Sequence, residues 1–219
     1  ITYKCNSYCP HCYVDSHSKG YTAPLHQVLL ALNEFNKGRV LQVALGGGEP
    51  TLHPALPLIL KETYDRGIVP NLTTNGKKML PRVINAISNY CGAIAFSVED
   101  LGQSFYQRRG FKIKKLFKLA TSLISIGVKV VFHITVSRSN FKKLPKIVEE
   151  LADLKPYGIV FLVYKPVGRG QFSESLVTID PKKLHEKIRM ALQILQVRTN
   201  VGFDGCFAPA LSLLSLVSR

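Results

Sequence analysis

The stretch VLQVALGGGEP, residues 40–50, passes from an apolar segment directly into three glycines and a carboxylate. Residues 40–45 have the Val-rich, nearly unbroken apolar character of a strand covered on both faces, as in a parallel sheet. Gly46, Gly47 and Gly48 cannot extend it, since they offer nothing to pack, and Glu49 then brings a charge. The same grammar recurs along the chain. Strand candidates at residues 1–4, 69–73, 93–98, 128–136 and 159–163 also end in polar or glycine-rich clusters. These are a cysteine-bearing loop, TTNG (73–76), FSVED (96–100), SRSN (137–140) and YKPVGRG (164–170).

Between the strands lie amphipathic helical patterns at about residues 24–36, 54–66, 78–89, 112–126, 142–153 and 181–197. Gly38, Gly67, Gly127 and Gly158 stand at the expected helix stops. Six βα units imply an α/β fold, either a barrel or a doubly wound sheet. In both, ligands gather at the C-terminal ends of the strands, which is where every unusual residue falls.

The first of these clusters is KCNSYCPHCYVDSH, residues 4–17, with Cys5, Cys9 and Cys12 at spacing CxxxCxxC. Three cysteines can hold zinc, with His11 or His17 as the fourth ligand. They can also hold a four-iron cluster by three thiolates, leaving one iron open to a small molecule. An amino acid would chelate such an iron through its amine and carboxylate. Glycines 46–48 would let backbone approach that ligand, and Glu49 would accept a hydrogen bond from its ammonium.

CxxxCxxC followed by GGGEP at the end of the next strand candidate resembles the radical S-adenosylmethionine (radical SAM) superfamily. The resemblance implies a partial (β/α)6 TIM barrel over residues 1–200. It implies a [4Fe–4S] cluster on Cys5, Cys9 and Cys12, with S-adenosyl-L-methionine on the fourth iron. Reductive cleavage to a 5′-deoxyadenosyl radical, hydrogen abstraction from a substrate, and an electron donor such as a flavodoxin or ferredoxin follow from it. By position, His11 takes the place where backbone meets adenine, and Gly47, Gly48 and Glu49 the place that holds the methionine amino group. Asn75 and Ser97 fall where the family places polar cofactor contacts. Where relatives often carry Ser-x-Asp-Gly, this chain has SVEDLG (97–102), so Glu99 or Asp100 is expected to have another task. VGFDGCFAPAL (201–211) resembles the start of the SPASM/twitch extension, whose members often modify peptides. Residues 201–219 are therefore expected to be a truncated extension, with an apolar helix toward the end and Cys206 as auxiliary ligand, hydrogen donor or packing residue.

The remaining composition sets bounds. Five cysteines, three of them crowded together, disfavour a disulfide framework and point to a reducing, cytoplasmic setting. No run of eighteen apolar residues is present, so no membrane partner is expected. The chain begins at Ile1, which leaves room for an upstream segment. Twenty-nine basic against 14 acidic residues give a formal charge of +15, which suits an anionic partner. Cations at 77, 78, 108, 109, 112, 138, 142, 143, 182 and 183 precede or open helices around the expected mouth. They form either a solvated lysine-rich surface or a rim for an acidic peptide or anionic small-molecule substrate; nucleic acid is not expected. Activation of a glycyl-radical partner, a small-molecule rearrangement and a metal-binding sensor are the alternatives to peptide modification.

Overall fold

In the computed structural model, which describes residues 1–172 and 180–207, six parallel strands form one sheet in chain order. They are β1 (Gln42–Leu45), β2 (Val69–Thr74), β3 (Ala93–Ser97), β4 (Val130–Val136), β5 (Gly158–Val163) and β6 (Asn200–Phe203). Each crossover advances by one strand in the same sense. Right-handed connections then lay the helices on one face, and the sheet twist curls the other face inward. A doubly wound sheet would need a reversal of strand order, and there is none. β1 and β6 are the two ends of the ladder, so the barrel is partial and open between them.

The outer layer comprises α1 (Leu25–Lys37), α2 (Leu56–Asp65), α3 (Pro81–Tyr90), α4 (Gly102–Arg109), α5 (Ile113–Ser125), α6 (Leu144–Ala152) and α7 (Pro181–Leu195). Helical spacing sets what each buries. On α5, Ile113, Leu116, Ala120 and Leu123 share one face, and that face is buried. β4 alternates strictly: Val130, Phe132, Ile134 and Val136 are buried, while Val131, His133 and Thr135 are half-buried. The second set faces the barrel interior, because successive strand side chains point to opposite faces. A lumen with polar groups at its mouth is the result.

The elements depart from the sequence pattern in several places. Residues 1–4 are not a strand of the sheet but make isolated bridges, Thr2 to Gly47 and Thr22, and Lys4 to His17. They run beside the glycine rim, where Gly48 N–H donates to Thr2 O (2.6 Å) and Glu49 N–H to Lys4 O (2.9 Å). Gly47, at φ 124°, breaks the regular pleat that a longer ladder would need. The sixth strand is instead β6, four residues including Gly202, too short and too weakly patterned to stand out. The expected boundary between residues 200 and 201 thus falls within β6, and the apolar stretch from residue 208 onward lies outside the described residues. Gly158 opens β5 rather than closing a helix, and α4, absent from the sequence reading, follows β3.

The three rim glycines are not equivalent. A Cβ on Gly48 would lie 2.3 Å from Lys4 O and one on Gly47 2.3 Å from Thr2 O, whereas one on Gly46 meets nothing within 4 Å. Gly48→Ala should therefore destabilise the chain by about 1–3 kcal/mol, and Gly46→Ala by less than about 0.5 kcal/mol. Urea denaturation of the metal-free protein measures both, and equal effects would contradict the close packing of residues 2–4 on this rim.

Candidate active site

The C-terminal ends of the strands enclose a cavity of about 650 Å³. Cys5, Cys9 and Cys12 line it together, on a loop whose base is closed by the Cys5 N–H bond to His17 O (2.9 Å). Two loop amides point at sulfur: Ser7 N–H at Cys5 Sγ and Ser16 N–H at Cys12 Sγ, both at 3.4 Å. Such donors favour a thiolate. Burial opposes it, raising the Cys5 thiol and pushing Cys9 up to about 11. Cys5 and Cys9 thus keep their protons unless a metal displaces them.

Among the described residues, no three His, Cys, Asp or Glu side chains converge tightly enough for a single metal ion. Zinc would need its sulfurs about 2.3 Å from one point. A multi-iron cluster puts each thiolate on a separate iron, and three thiols that line one cavity can supply it. Two buried atoms of the loop, His11 Nδ1 and Ser16 Oγ, have no hydrogen-bond partner. Buried polar atoms normally have one, so this pair fits a group bound against the loop.

Glu49 is 1% exposed and already engaged. Its Oε1 accepts from Thr51 N (3.1 Å), Thr51 Oγ1 (2.7 Å) and Thr74 Oγ1 (2.5 Å), and its Oε2 from Asn75 N (2.7 Å). Oε1 is saturated, whereas Oε2 keeps capacity for one more donor, such as an ammonium, on the cavity side. Asn75 turns its amide to the cysteine loop, donating to Asn6 Oδ1 (2.8 Å) and Ser7 Oγ (3.3 Å). Gly47 and Gly48 line the cavity, but the space a side chain would need there is filled by the backbone of Thr2 and Lys4. Ser97, at the end of β3, faces the cavity in register with His133 of β4.

Sequence reasoning missed a second buried carboxylate. Glu99, 2% exposed, pairs through both oxygens with Arg109 at the end of α4, Nε lying 3.0 Å from Oε2. His11 Nε2 is 3.3 Å from the same carboxylate. Burial works against the charge on Glu99, but Arg109 and then His11 outweigh it and hold the carboxyl well below its usual range. The fully buried Asn140 fixes the backbone here, donating from Nδ2 to Glu99 O (2.7 Å) and Thr135 O (2.9 Å). The carbonyls of Arg109 and Arg108 accept from Ser7 Oγ (3.4 Å) and Cys9 Sγ (3.9 Å), so the pair supports the cysteine loop from below. The only signal in the sequence was the departure from Ser-x-Asp-Gly.

Arg109 is therefore no rim cation. Lys77 (to Asn6 O, 2.9 Å), Arg108 (to Ser139 Oγ, 3.0 Å) and Lys143 (to Asp100 Oδ2, 3.2 Å) are also engaged, which thins the expected basic rim. Cys206 is exposed, on a 3-10 turn after β6, and is not among the residues lining the cavity. Cys91 packs partly buried against the core, its thiol pushed up to about 12 by burial. No helix among the described residues is long and apolar enough to cross a membrane.

Comparison with known proteins decides the affiliation. Residues 1–151 match the radical SAM superfamily. The chain belongs to that family. PqqA peptide cyclase of Granulibacter bethesdensis is 25% identical over 178 residues, 72% of this chain and 46% of the relative. An S-adenosylmethionine-dependent nucleotide dehydratase of a Thermoplasmatales archaeon is 27% identical over 146 residues, 64% of this chain and 52% of the relative. The radical SAM chain thus spans about half the length of these curated relatives. In fold it is similar to Streptococcus suis SuiB bound to precursor peptide SuiA, at a TM-score of 0.81 and 18% identity, over 97% of this chain and 49% of that one.

Arg109→Met leaves Glu99 buried with His11 alone and should cost roughly 3–5 kcal/mol. Adding Glu99→Gln should recover most of that loss, read by urea denaturation of the iron-free protein. The pair contributes fully above the ordinary carboxylate value of 4.5, and its contribution fades as pH falls below it, because the unfolded chain takes up the proton first.

Proposed function

We propose that this chain is the catalytic barrel of a radical SAM enzyme acting on a peptide. One observation carries the reading: Cys5, Cys9 and Cys12 share a single cavity with the Glu49 carboxylate, at the C-terminal mouth of an open barrel. The three thiols would hold a [4Fe–4S] cluster. Glu49 Oε2 would accept from the methionine ammonium of the cofactor, and His11 Nδ1 would gain the partner it lacks. When bound, the group supplies reductive cleavage of S-adenosylmethionine and hydrogen-atom abstraction, with electrons from a flavodoxin- or ferredoxin-type donor.

The two halves of the cavity divide the work. β1–β3 present Glu49 and Ser97 beside the cysteine loop, which suits the cofactor. β4–β6 present His133, Thr135 and the Lys165–Asp204 pair (3.6 Å), which leaves that side to the substrate. Burial pushes His133 below the usual imidazole value, so it meets the substrate as a neutral hydrogen-bonding group. A peptide is favoured because a relative matched over 72% of the chain is a peptide cyclase. A small anionic substrate is the second reading, favoured by the +15 charge and by the nucleotide dehydratase relative.

Anaerobic reconstitution should load about four irons and give the visible absorption of a [4Fe–4S] cluster. Alanine at Cys5, Cys9 or Cys12 should abolish it; stoichiometric zinc with no iron uptake would overturn the reading. Glu49→Ala should keep the cluster but weaken S-adenosylmethionine binding by roughly tenfold to a hundredfold. The same change should lower the stability of the iron-free protein by about 1–3 kcal/mol, since four donors lose their acceptor. Calorimetric titration and urea denaturation separate the two effects.

A further inference from the structure

Outside the cysteine motif, one side chain meets the loop more often than any cofactor-facing residue does. Arg169 sits in the 3-10 turn Gly168–Phe172, after β5. Its Nε donates to Cys9 O (2.9 Å), its Nη2 to Ser16 O (3.0 Å) and its Nη1 to Asp15 Oδ1 (2.6 Å). Its backbone N–H donates to Cys12 O (2.9 Å), and its guanidinium lies 3.8 Å from the centroid of the Tyr8 ring. The side chain is only 10% exposed. We propose that Arg169 is a positioning residue for the cluster, setting the loop backbone at two of its three cysteine ligands.

The argument begins with what the loop lacks. Residues 5–16 contain no helix or strand, so their shape depends on what holds them. At the base, Lys4 bridges to His17; farther out, Asn75 takes Asn6 and Ser7. Residues 8–16 meet the turn after β5. Arg169 takes the carbonyl of Cys9 with its side chain and that of Cys12 with its backbone N–H, and it pairs with Asp15, whose φ of 49° is one that L residues seldom adopt. The planar five-donor fork spans three acceptors at once, whereas a lysine ammonium acts as a point charge and cannot. Gly168 supports the same contact independently. At φ 60°, its missing Cβ would lie 2.4 Å from Tyr13 O and 2.8 Å from Cys12 O, so only glycine lets the turn come this near.

This inference rests on the cluster reading for its purpose but not for its test. Arg169→Lys and Gly168→Ala are compared with wild type, with Arg198→Lys as a control at the remote exposed pair with Asp153. In the iron-free protein, chymotrypsin reports the loop through Tyr8 and Tyr13, which are 71% and 58% exposed. Both variants should be cut there roughly tenfold faster or more, while the control and the melting temperature of Arg169→Lys stay near wild type. In the reconstituted protein, both should release iron to bathophenanthroline faster by a similar factor. Wild-type protection and wild-type iron retention in Arg169→Lys would overturn the proposal. So would a fall in the melting temperature of Arg169→Lys that accounts for its whole change in cleavage, since it would make Arg169 a general stabiliser. If the wild-type chain takes up no iron yet the variants lose loop protection, the cluster reading fails and the positioning of the loop stands.

Discussion

The carboxylate of Glu49 is the constraint on which the site's geometry depends. It closes β1 onto the end of β2 by accepting from Thr51, Thr74 and Asn75. Asn75, so fixed, reaches the cysteine loop through Asn6 and Ser7. A buried carboxylate is tolerable only when its lone pairs are occupied. Here the donors come from two neighbouring strand ends, so satisfying the charge and shaping the rim are one requirement. The same group supports the fold and keeps an open acceptor position toward the cavity.

A second buried charge underlies the opposite side of the loop. Glu99 and Arg109 join the end of β3 to the end of α4, and Asn140 ties the Glu99 backbone to β4. A buried ion pair adds little net stability over a well-packed apolar pair, but it specifies geometry through directional bonds. That geometry presents the carbonyls of Arg108 and Arg109 to Cys9 and Ser7. Cavity floor and cysteine loop are thereby registered to each other, although about a hundred residues separate them in sequence.

What the sequence disclosed and what it hid follow from that separation. Cys5, Cys9 and Cys12 lie within eight residues, and GGGEP is contiguous, so both are legible as local patterns. The strands β2 to β5 are legible for the same reason, since each is a Val- or Ile-bearing run with a turn signal beyond it. Residues 1–4 have strand character, yet pairing requires a partner edge, and the irregular backbone at Gly47 denies them one. β6 lies at the other limit, a short segment that is a strand only because β5 is beside it. Arg109 reads as one more rim cation, and Asn140 and Arg169 only as members of the polar clusters after two strands. The contacts that give them their roles, Ser7 to Arg109 O, Asn140 to Glu99 O and Arg169 to Cys9 O, span 102, 41 and 160 positions.

The longest of these separations bears on how the protein is made. Arg169 and its Cys9 partner are 160 residues apart. At ribosomal rates of about 5–20 residues per second, the cysteines wait roughly 8–32 s for the arginine to be synthesised, and longer for it to leave the exit tunnel. During that interval the loop has only the contacts of earlier residues, such as Asn75 to Asn6 and Ser7 and the carbonyls of Arg109 and Arg108 to Ser7 and Cys9. A nascent chain would present three loosely arranged cysteines to whatever metal it met first. The contacts of the β5 turn with Cys9 and Cys12 are therefore the last of the loop's contacts to become available during synthesis.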